Sequence, residues 1–105
     1  MKPDNIFSIR PANLENEALD VLINNSNVTI ERIISKGHRS PETGWYDQEK
    51  NEWVMVLRGG AELTFADQTI VRLEAGDFIH IPPHKKHRVS WTDPDQETFW
   101  LAVHY

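Results

Sequence analysis

Apolar residues recur at two different spacings along this chain. Over residues 13–24 the spacing is helical, carried by Leu14, Ala18, Val21 and Leu22. Asn13, which follows Pro11, is a suitable N-cap for such a segment. The pattern therefore predicts one short N-terminal helix, which ends at the polar run of residues 24–27.

From residue 28 onward the chain consists of short segments rich in Val, Ile, Thr and aromatic residues, separated by Gly, Pro and Asp turn signals. These segments predict eight strands: Val28–Ser35, Gly44–Gln48, Trp53–Arg58, Ala61–Phe65, Gln68–Leu73, Asp77–Ile81, Arg88–Thr92 and Thr98–His104. Many short strands with regular turn signals are typical of an all-β sandwich or barrel.

The third predicted strand is apolar on both faces, because Trp53, Met55 and Leu57 alternate with Val54 and Val56. One face can line the interior of a barrel, and the sequence leaves open which of the two it is. The other face needs a cover, since proteins rarely leave large apolar patches in water. A second copy of the chain could bury this face, so we expect a homodimer.

Length, charge and composition narrow the class of protein. With 105 residues, 39% of them hydrophobic, the chain can bury one core, so we expect one domain over 1–105, with 1–27 as an N-terminal segment and 28–105 as a barrel. The net charge of -5 argues against a nucleic-acid partner, because phosphate neutralisation requires excess Lys and Arg. No apolar run approaches the ~20 residues of a bilayer span and no secretory signal is evident, so we expect a cytoplasmic protein without a membrane partner. Since cysteine is absent, any metal must have nitrogen and oxygen ligands.

One segment carries a recognisable motif. Gly76 is followed by five residues, Pro82, one residue, His84, two residues and His87. This spacing resembles the second conserved motif of the cupins, with His84 where glycine is usual. The resemblance implies a cupin-type double-stranded β-helix, or jelly-roll barrel, and it places His87 at the family's metal-binding histidine.

The first cupin motif is matched only in part. Glu52 and Gly59 keep its final spacing, which places Glu52 at the family's glutamate ligand. Depending on the spacing, the two upstream histidines of the motif are replaced by Tyr46 and Gln48 or by Trp45 and Asp47. Neither alternative contains an imidazole.

The wider pattern from Val28 to Tyr105 is similar to a group of small, single-domain, RmlC-like bacterial cupins, mostly described only as conserved-barrel proteins. That resemblance implies an architecture and leaves the reaction open, because one fold hosts many chemistries.

A divalent metal ion, zinc, iron, manganese or nickel, is the cofactor that the resemblance implies, since cupin metals are typically held by three histidines and one glutamate. In this chain the candidate metal ligands are His87, Glu52, Asp47 and Gln48. A further nitrogen ligand would have to come from His38, His80, His84 or His104.

Each candidate also has a purely structural interpretation. His87 is either a ligand or acid–base group or a hydrogen-bonded core histidine, and Glu52 either faces the pocket or opens a strand in solvent. Asp47 and Gln48 belong to a stretch that also suits a solvated loop, and we expect one of them, not both, in the pocket. Tyr46 is either a proton donor or a core aromatic with its hydroxyl at the rim.

Further residues are candidates for the wall of the pocket: Trp45, His80, His84, Trp91 and His104. The basic run of residues 84–88 either attracts an anionic ligand or is a solvated turn. Phosphate-binding loops and nucleophile elbows are not found in the sequence.

Three functions agree with these residues, and the sequence leaves open whether the protein is an enzyme. The first is a metal-dependent cupin that acts on a small anionic or oxygen-rich molecule, with His87 and Glu52 as ligands. The second is a metal-free module that binds or senses a small molecule. The third is a metal-free sugar isomerase or epimerase in which His87 and Tyr46 exchange protons with the substrate.

Overall fold

The structure is a computed structural model that describes residues 1–8 and 14–105. In these residues it contains eight β-strands: β1 Ala18–Asn24, β2 Thr29–Ser35, β3 Glu52–Arg58, β4 Gly60–Phe65, β5 Ile70–Glu74, β6 Phe78–Ile81, β7 His87–Thr92 and β8 Thr98–His104. Strands β2 to β8 confirm seven of the predicted strands, with ends that differ by two residues at most. Within the described ranges there is no helix, and so none that could cross a membrane.

Two antiparallel sheets form the barrel. One has five strands in the order β1-β2-β8-β3-β6, and the other has three in the order β5-β4-β7. The chain crosses between the two sheets. As a result, β8 lies between β2 and β3 in the first sheet, and β7 pairs with β4 in the second. This arrangement is a jelly roll whose inward side chains fill the space between the sheets.

The two faces of β3 have different roles. Val54 lies opposite Ala102 of β8 and Val56 lies opposite Trp100, and all four residues are buried in the core between the sheets. Val54 and Val56 therefore face the interior, which answers the question that the sequence left open. The alternating residues, Trp53 among them, form the outer face of the five-stranded sheet.

The predicted N-terminal helix is wrong, because Ala18–Asn24 is a strand. Leu19 lies opposite Ile33 and Val21 lies opposite Glu31, in antiparallel pairing with β2. A bulge between Val21 and Ile23 shifts the alternation of faces. Because the bulge shifts the alternation, apolar residues occupy adjacent positions in this strand. Their spacing then resembles that of a helix. Asn13, the proposed N-cap, lies outside the described residues.

The predicted strand Gly44–Gln48 is reduced to one isolated bridge between Tyr46 and His87. The Tyr46 backbone N–H donates to the His87 carbonyl at 2.8 Å, and the His87 N–H donates to the Tyr46 carbonyl at 3.2 Å. This single bridge fixes Tyr46 beside the first residue of β7.

Residues 1–8 cover part of the outer face of the five-stranded sheet. The ring of Phe7 packs edge-on against Phe99, with centroids 5.2 Å apart, and the Arg58 guanidinium lies 4.1 Å from the centre of the Phe7 ring. Arg32 donates hydrogen bonds to the carbonyls of Ile6 and Ser8. These contacts hold residues 6–8 against the outer face of the sheet at β2, β3 and β8.

Candidate functional site

A cavity of about 190 Å³ lies between the two sheets. Its apolar wall consists of Leu19, Ile33, Val54, Leu63, Ile81, Val89 and Trp100. Its polar groups are Glu17, Glu31, Tyr46, Gln48, Glu52, His87 and His104. Apolar walls with a few convergent polar groups are typical of small-molecule sites, although the volume is below the roughly 300–1,000 Å³ of sites for drug-sized ligands.

His87 is buried and has a fixed orientation. It is the first residue of β7 and only 4% of its surface is exposed. Its Nδ1 lies 2.8 Å from the carbonyl oxygen of Lys85, which can only accept a hydrogen bond, so Nδ1 carries a proton. The other ring nitrogen, Nε2, therefore points into the cavity, where it lies 3.3 Å from Oε1 of Glu52.

The carboxylate of Glu52 is held at the start of β3. Its Oε1 accepts a hydrogen bond from the side-chain amide of Gln48 at 3.2 Å. A carboxylate oxygen beside an imidazole nitrogen is stable only when a proton lies between them, since two lone pairs repel. When the imidazole is protonated, Nε2 of His87 is the donor, and the two side chains form an ion pair.

The environment favours the charged form of this imidazole. Burial is the largest single influence and lowers the pKa of His87. The contact with Glu52, the hydrogen bond to the Lys85 carbonyl and the negative charge of Glu52 together outweigh it. The pKa of His87 is therefore raised above that of an ordinary histidine.

A second imidazole–carboxylate pair lies next to the first. Nε2 of His104 is 2.9 Å from Oε1 of Glu31 and 3.9 Å from Oε2 of Glu52. Glu52 and His104 are direct partners in the β3–β8 register, which places their side chains on the same inward face. Glu52 therefore lies between the two histidines.

A third carboxylate borders the cavity from the segment just before β1. The Ser35 hydroxyl donates to Oε2 of Glu17 at 2.7 Å, and the Trp100 indole N–H donates to the Ser35 hydroxyl at 3.1 Å. Ser35 and Trp100 are buried, so this chain of hydrogen bonds holds the Glu17 side chain at the rim.

Tyr46 lies at the opening of the cavity. Its side chain is about half exposed, and its ring centroid is 5.6 Å from that of His87. Tyr46 is therefore placed to contact a ligand that reaches Nε2 of His87.

Of the predicted metal ligands, His87, Glu52 and Gln48 line the cavity. Asp47 instead binds Nδ1 of His84 at 2.8 Å, and both of these side chains are exposed on the surface. His84 has a positive φ of 62°, which turns the chain at this point.

Of the predicted wall residues, His104 lines the cavity. Trp45 lies under the Arg88 guanidinium, 5.0 Å from its ring centre, and Trp91 lies under that of Arg72 at 4.2 Å. Nε2 of His80 binds the Asn51 side chain at 2.9 Å. These two tryptophans and His80 are not among the residues that line the cavity.

The sequence interpretation missed Glu17 and Glu31. Glu31 precedes Ile33 and Ser35 on one face of β2, and this alternation was the signal that could have found it. Glu17 adjoins the segment that was assigned to a helix, and only the pairing of β1 with β2 brings it to the cavity.

Two packed sheets enclose a cavity that has polar groups at one end. This architecture defines the protein as a small jelly-roll barrel. The Cupin domain family matches residues 32–104. This chain belongs to the cupin family, and the resemblance to RmlC-like cupins is confirmed.

Solved structures support this assignment. A candidate mannose-6-phosphate isomerase from Ralstonia eutropha has a TM-score of 0.92 and 41% identity, over 99% of this chain and 97% of that one. An RmlC-like cupin from Desulfovibrio desulfuricans has a TM-score of 0.75 and 15% identity, over 99% and 96% of the two chains. A cupin superfamily protein from Desulfitobacterium hafniense has a TM-score of 0.74 and 19% identity, over 90% and 82%. The last two show the fold alone. A search of curated proteins found no significant match.

Cupins often bind metals, and the side chains of the cavity can be tested against that property. Within residues 1–8 and 14–105, no group of three or more His, Asp or Glu side chains is arranged to hold a metal ion. His87 and His104 each point a ring nitrogen at a carboxylate, and Gln48 offers its amide nitrogen to Glu52. The donor set as arranged does not fit a metal centre.

Proposed function

We propose that the protein is a cupin of the acid–base type, which binds a small oxygen-rich carbonyl compound and transfers a proton within it, as an isomerase or epimerase does. The observation that carries the proposal is the buried ion pair of His87 and Glu52 at the polar end of the cavity. Tyr46, at the opening, would hydrogen-bond the same ligand.

The pair supplies an acid and a base at one point. In aldose–ketose isomerisation, a base removes the proton from the hydroxyl-bearing carbon beside the carbonyl, while an acid protonates the carbonyl oxygen. The Glu52 carboxylate is the base and the Nε2–H group of His87 is the acid, and the product of this step is an enediol. Glu52 then returns its proton to the former carbonyl carbon and His87 takes one from the neighbouring hydroxyl. Substrate and product are isomers, so no proton is gained or lost.

The fixed ring of His87 supports this role. Because Nδ1 is held by the Lys85 carbonyl, Nε2 is the one nitrogen that exchanges a proton with a ligand. The protein from Ralstonia eutropha, with 41% identity over nearly the whole chain, is named as a candidate isomerase, and this name supports the isomerase class.

Metal dependence, the first function predicted from the sequence, stays a prediction. His87 and Glu52 are neighbours, as two ligands of one ion would be, but the described residues add no third side chain in a metal-holding arrangement. Plasma mass spectrometry of protein purified without chelators would measure the metal content directly.

Deuterium exchange tests the proposed reaction. Chelator-treated protein is incubated in deuterium oxide with D-mannose, D-fructose, D-glyceraldehyde or D-mannose 6-phosphate, and NMR follows deuterium at the carbon beside the carbonyl. We expect exchange into at least one compound, with rates at least about 100-fold lower in His87→Gln and Glu52→Gln, since acid–base groups contribute about 10²- to 10⁴-fold. The control is His80→Gln, because His80 lies on the outer face.

Besides the absence of exchange into any of the compounds, two results would contradict the proposal. One is exchange that persists unchanged in both cavity variants, because the pair would then take no part in the reaction. The other is exchange that occurs only after a metal ion is restored, which would favour the metal-dependent alternative.

We also propose a homodimer that buries the outer face of the five-stranded sheet. Trp53 and Phe78 pack together on this face, with ring centroids 5.3 Å apart, and Phe78 remains 63% exposed. Met55 and Leu101 are partners in the β3–β8 register and extend the apolar surface. A second copy carries the same surface, so a two-fold axis would cover both at once.

A further inference from the structure

The lining of the cavity has an unusual charge balance. Among residues 1–8 and 14–105, three carboxylates and two imidazoles border it, and none of its lining residues is a lysine or an arginine. Even with both imidazoles protonated, the carboxylates outnumber them by one. A phosphate group in this space would meet net negative charge.

The side chains of Lys85 and Arg88, both from the basic run of residues 84–88, have other contacts. Lys85 forms an ion pair with Asp67 at 3.6 Å and lies over the Phe65 ring. Arg88 donates to the carbonyl of Glu42 and lies over Trp45. Lys85 and Arg88 therefore contact groups outside the cavity, and neither His84 nor Lys86 is among its lining residues.

One lysine lies near the opening. Lys50 borders a shallow surface groove that shares Glu31, Gln48 and His104 with the cavity wall, and Glu49 lies beside it. A single exposed lysine flanked by two carboxylates offers weak attraction to a phosphate group.

The free acceptor atoms of the cavity indicate what a ligand must supply. Oε2 of Glu31 and Oε2 of Glu52 accept no hydrogen bond from the described residues, and neither is buried from solvent. A ligand that fills the cavity must donate to these atoms, and hydroxyl or ammonium groups can do so.

We infer that the ligand of this cavity is a compound of monosaccharide size or smaller that carries hydroxyl or amino donors and no anionic group. This inference rests on the proposed function for its site and specifies the charge of the ligand. The sequence predicted an anionic or an oxygen-rich ligand, and this inference favours the oxygen-rich one. It excludes a sugar phosphate as the substrate.

Three probes with the same ring test the inference at neutral pH: D-mannose, D-mannosamine and D-mannose 6-phosphate. Binding to chelator-treated protein is followed through the imidazole signals of His87 and His104 in long-range ¹H–¹⁵N NMR spectra. We expect D-mannose and D-mannosamine to shift these signals, and the phosphate ester to need at least about a tenfold higher concentration, the effect of one unfavourable charge contact. Equal or tighter binding of the phosphate ester overturns the inference. So does the absence of binding by all three probes, because the cavity would then not accept a donor-rich ring of this size.

A variant with one charge fewer tests whether the cavity wall causes the weaker binding of the phosphate ester. Glu31→Gln removes one negative charge from the wall and should raise the affinity for the phosphate ester relative to D-mannose by several-fold, up to about tenfold. The matched control is Glu74→Gln on β5, whose side chain is 72% exposed and lies outside the cavity. If both variants change the ratio equally, the cavity does not cause the discrimination and the inference fails.

The outcomes separate this inference from the proposed function. Binding of D-mannose without deuterium exchange into any compound would reject the proposed reaction and leave the ligand class intact. Exchange into D-mannose 6-phosphate in preference to the uncharged sugars would support the reaction and reject the ligand class.

Discussion

Nε2 of His87 lies 3.3 Å from Oε1 of Glu52, although the two residues come from different sheets. Glu52 begins β3 of the five-stranded sheet and His87 begins β7 of the three-stranded sheet. The ion pair therefore spans the interior of the barrel. It joins the two layers of the fold at the point where the cavity has its polar groups.

This contact predicts the titration of His87. Glu52→Gln removes the negative charge and the carboxylate contact that raise the pKa of His87, while burial continues to lower it. We therefore expect the pKa of His87 to fall in this variant. Titration of the imidazole signals by NMR measures it, with Glu74→Gln as the control that leaves the His87 pKa unchanged. An equal pKa in wild type and Glu52→Gln would show that the ion pair is not formed in solution.

The same shift predicts how stability depends on pH. The pKa of His87 is higher in the folded chain than in the unfolded one, so folding favours the protonated imidazole. The stabilisation is complete below the unfolded-state pKa, about 6.5, and it is lost as the pH rises through the folded-state pKa.

Urea denaturation between pH 5.5 and 9 measures this dependence. We expect the difference in unfolding free energy between wild type and His87→Gln to be largest at the acidic end and to decrease with rising pH. Glu74→Gln on β5, which lies outside both the cavity and the proposed dimer interface, is the control. A difference that grows with pH would mean that His87 is held in the neutral form.

How far the sequence could predict the fold depended on the regularity of each strand. β8 was predicted with its observed ends, because turn residues bound it and its apolar residues are continuous. β1 was not predicted, because the bulge after Val21 disturbs its alternation and because its pairing with β2 is a long-range contact. Local propensity contains no information about that partner.

The residues of the candidate site also differ in how far the sequence could predict them. The cupin motifs predicted that His87 and Glu52 belong to one site, which no local pattern could indicate for residues on different sheets. His104 was named as a wall residue from its strand alternation. Glu31 was not, because a glutamate near the start of a strand is usually solvated and its neighbour His104 lies at the far end of the chain.

Gly59 should be far less tolerant of substitution than Gly76. Both have a positive φ, 91° and 93°, so alanine is strained at either position. A Cβ at Gly59 would also lie 2.7 Å from Cα of Thr98, whereas a Cβ at Gly76 meets nothing within 4 Å. We expect Gly76→Ala to lower the unfolding free energy by about 1 kcal/mol and Gly59→Ala by about 3 kcal/mol or more. Urea denaturation compares the two, and equal losses would show that the turn after β3 can move away from Thr98.

The apolar outer face of the five-stranded sheet predicts the oligomeric state. Phe78 on β6 and Ile70 on β5 are each 63% exposed, but Phe78 packs beside Trp53 on the proposed interface while Ile70 lies on the other sheet. Light scattering with size-exclusion chromatography should give the mass of a dimer for wild type, because a continuous apolar sheet face is stabilised by burial.

The matched pair of variants tests which face forms the contact. Phe78→Lys places a charge where the two copies would meet, and burial of an unpaired charge is strongly unfavourable, so we expect a monomer. Ile70→Lys makes the same change at equal exposure and should remain a dimer. A wild-type monomer would reject the dimer itself. If Ile70→Lys causes dissociation and Phe78→Lys does not, the interface lies on the three-stranded sheet. The outer face around Trp53 would then remain exposed in the dimer.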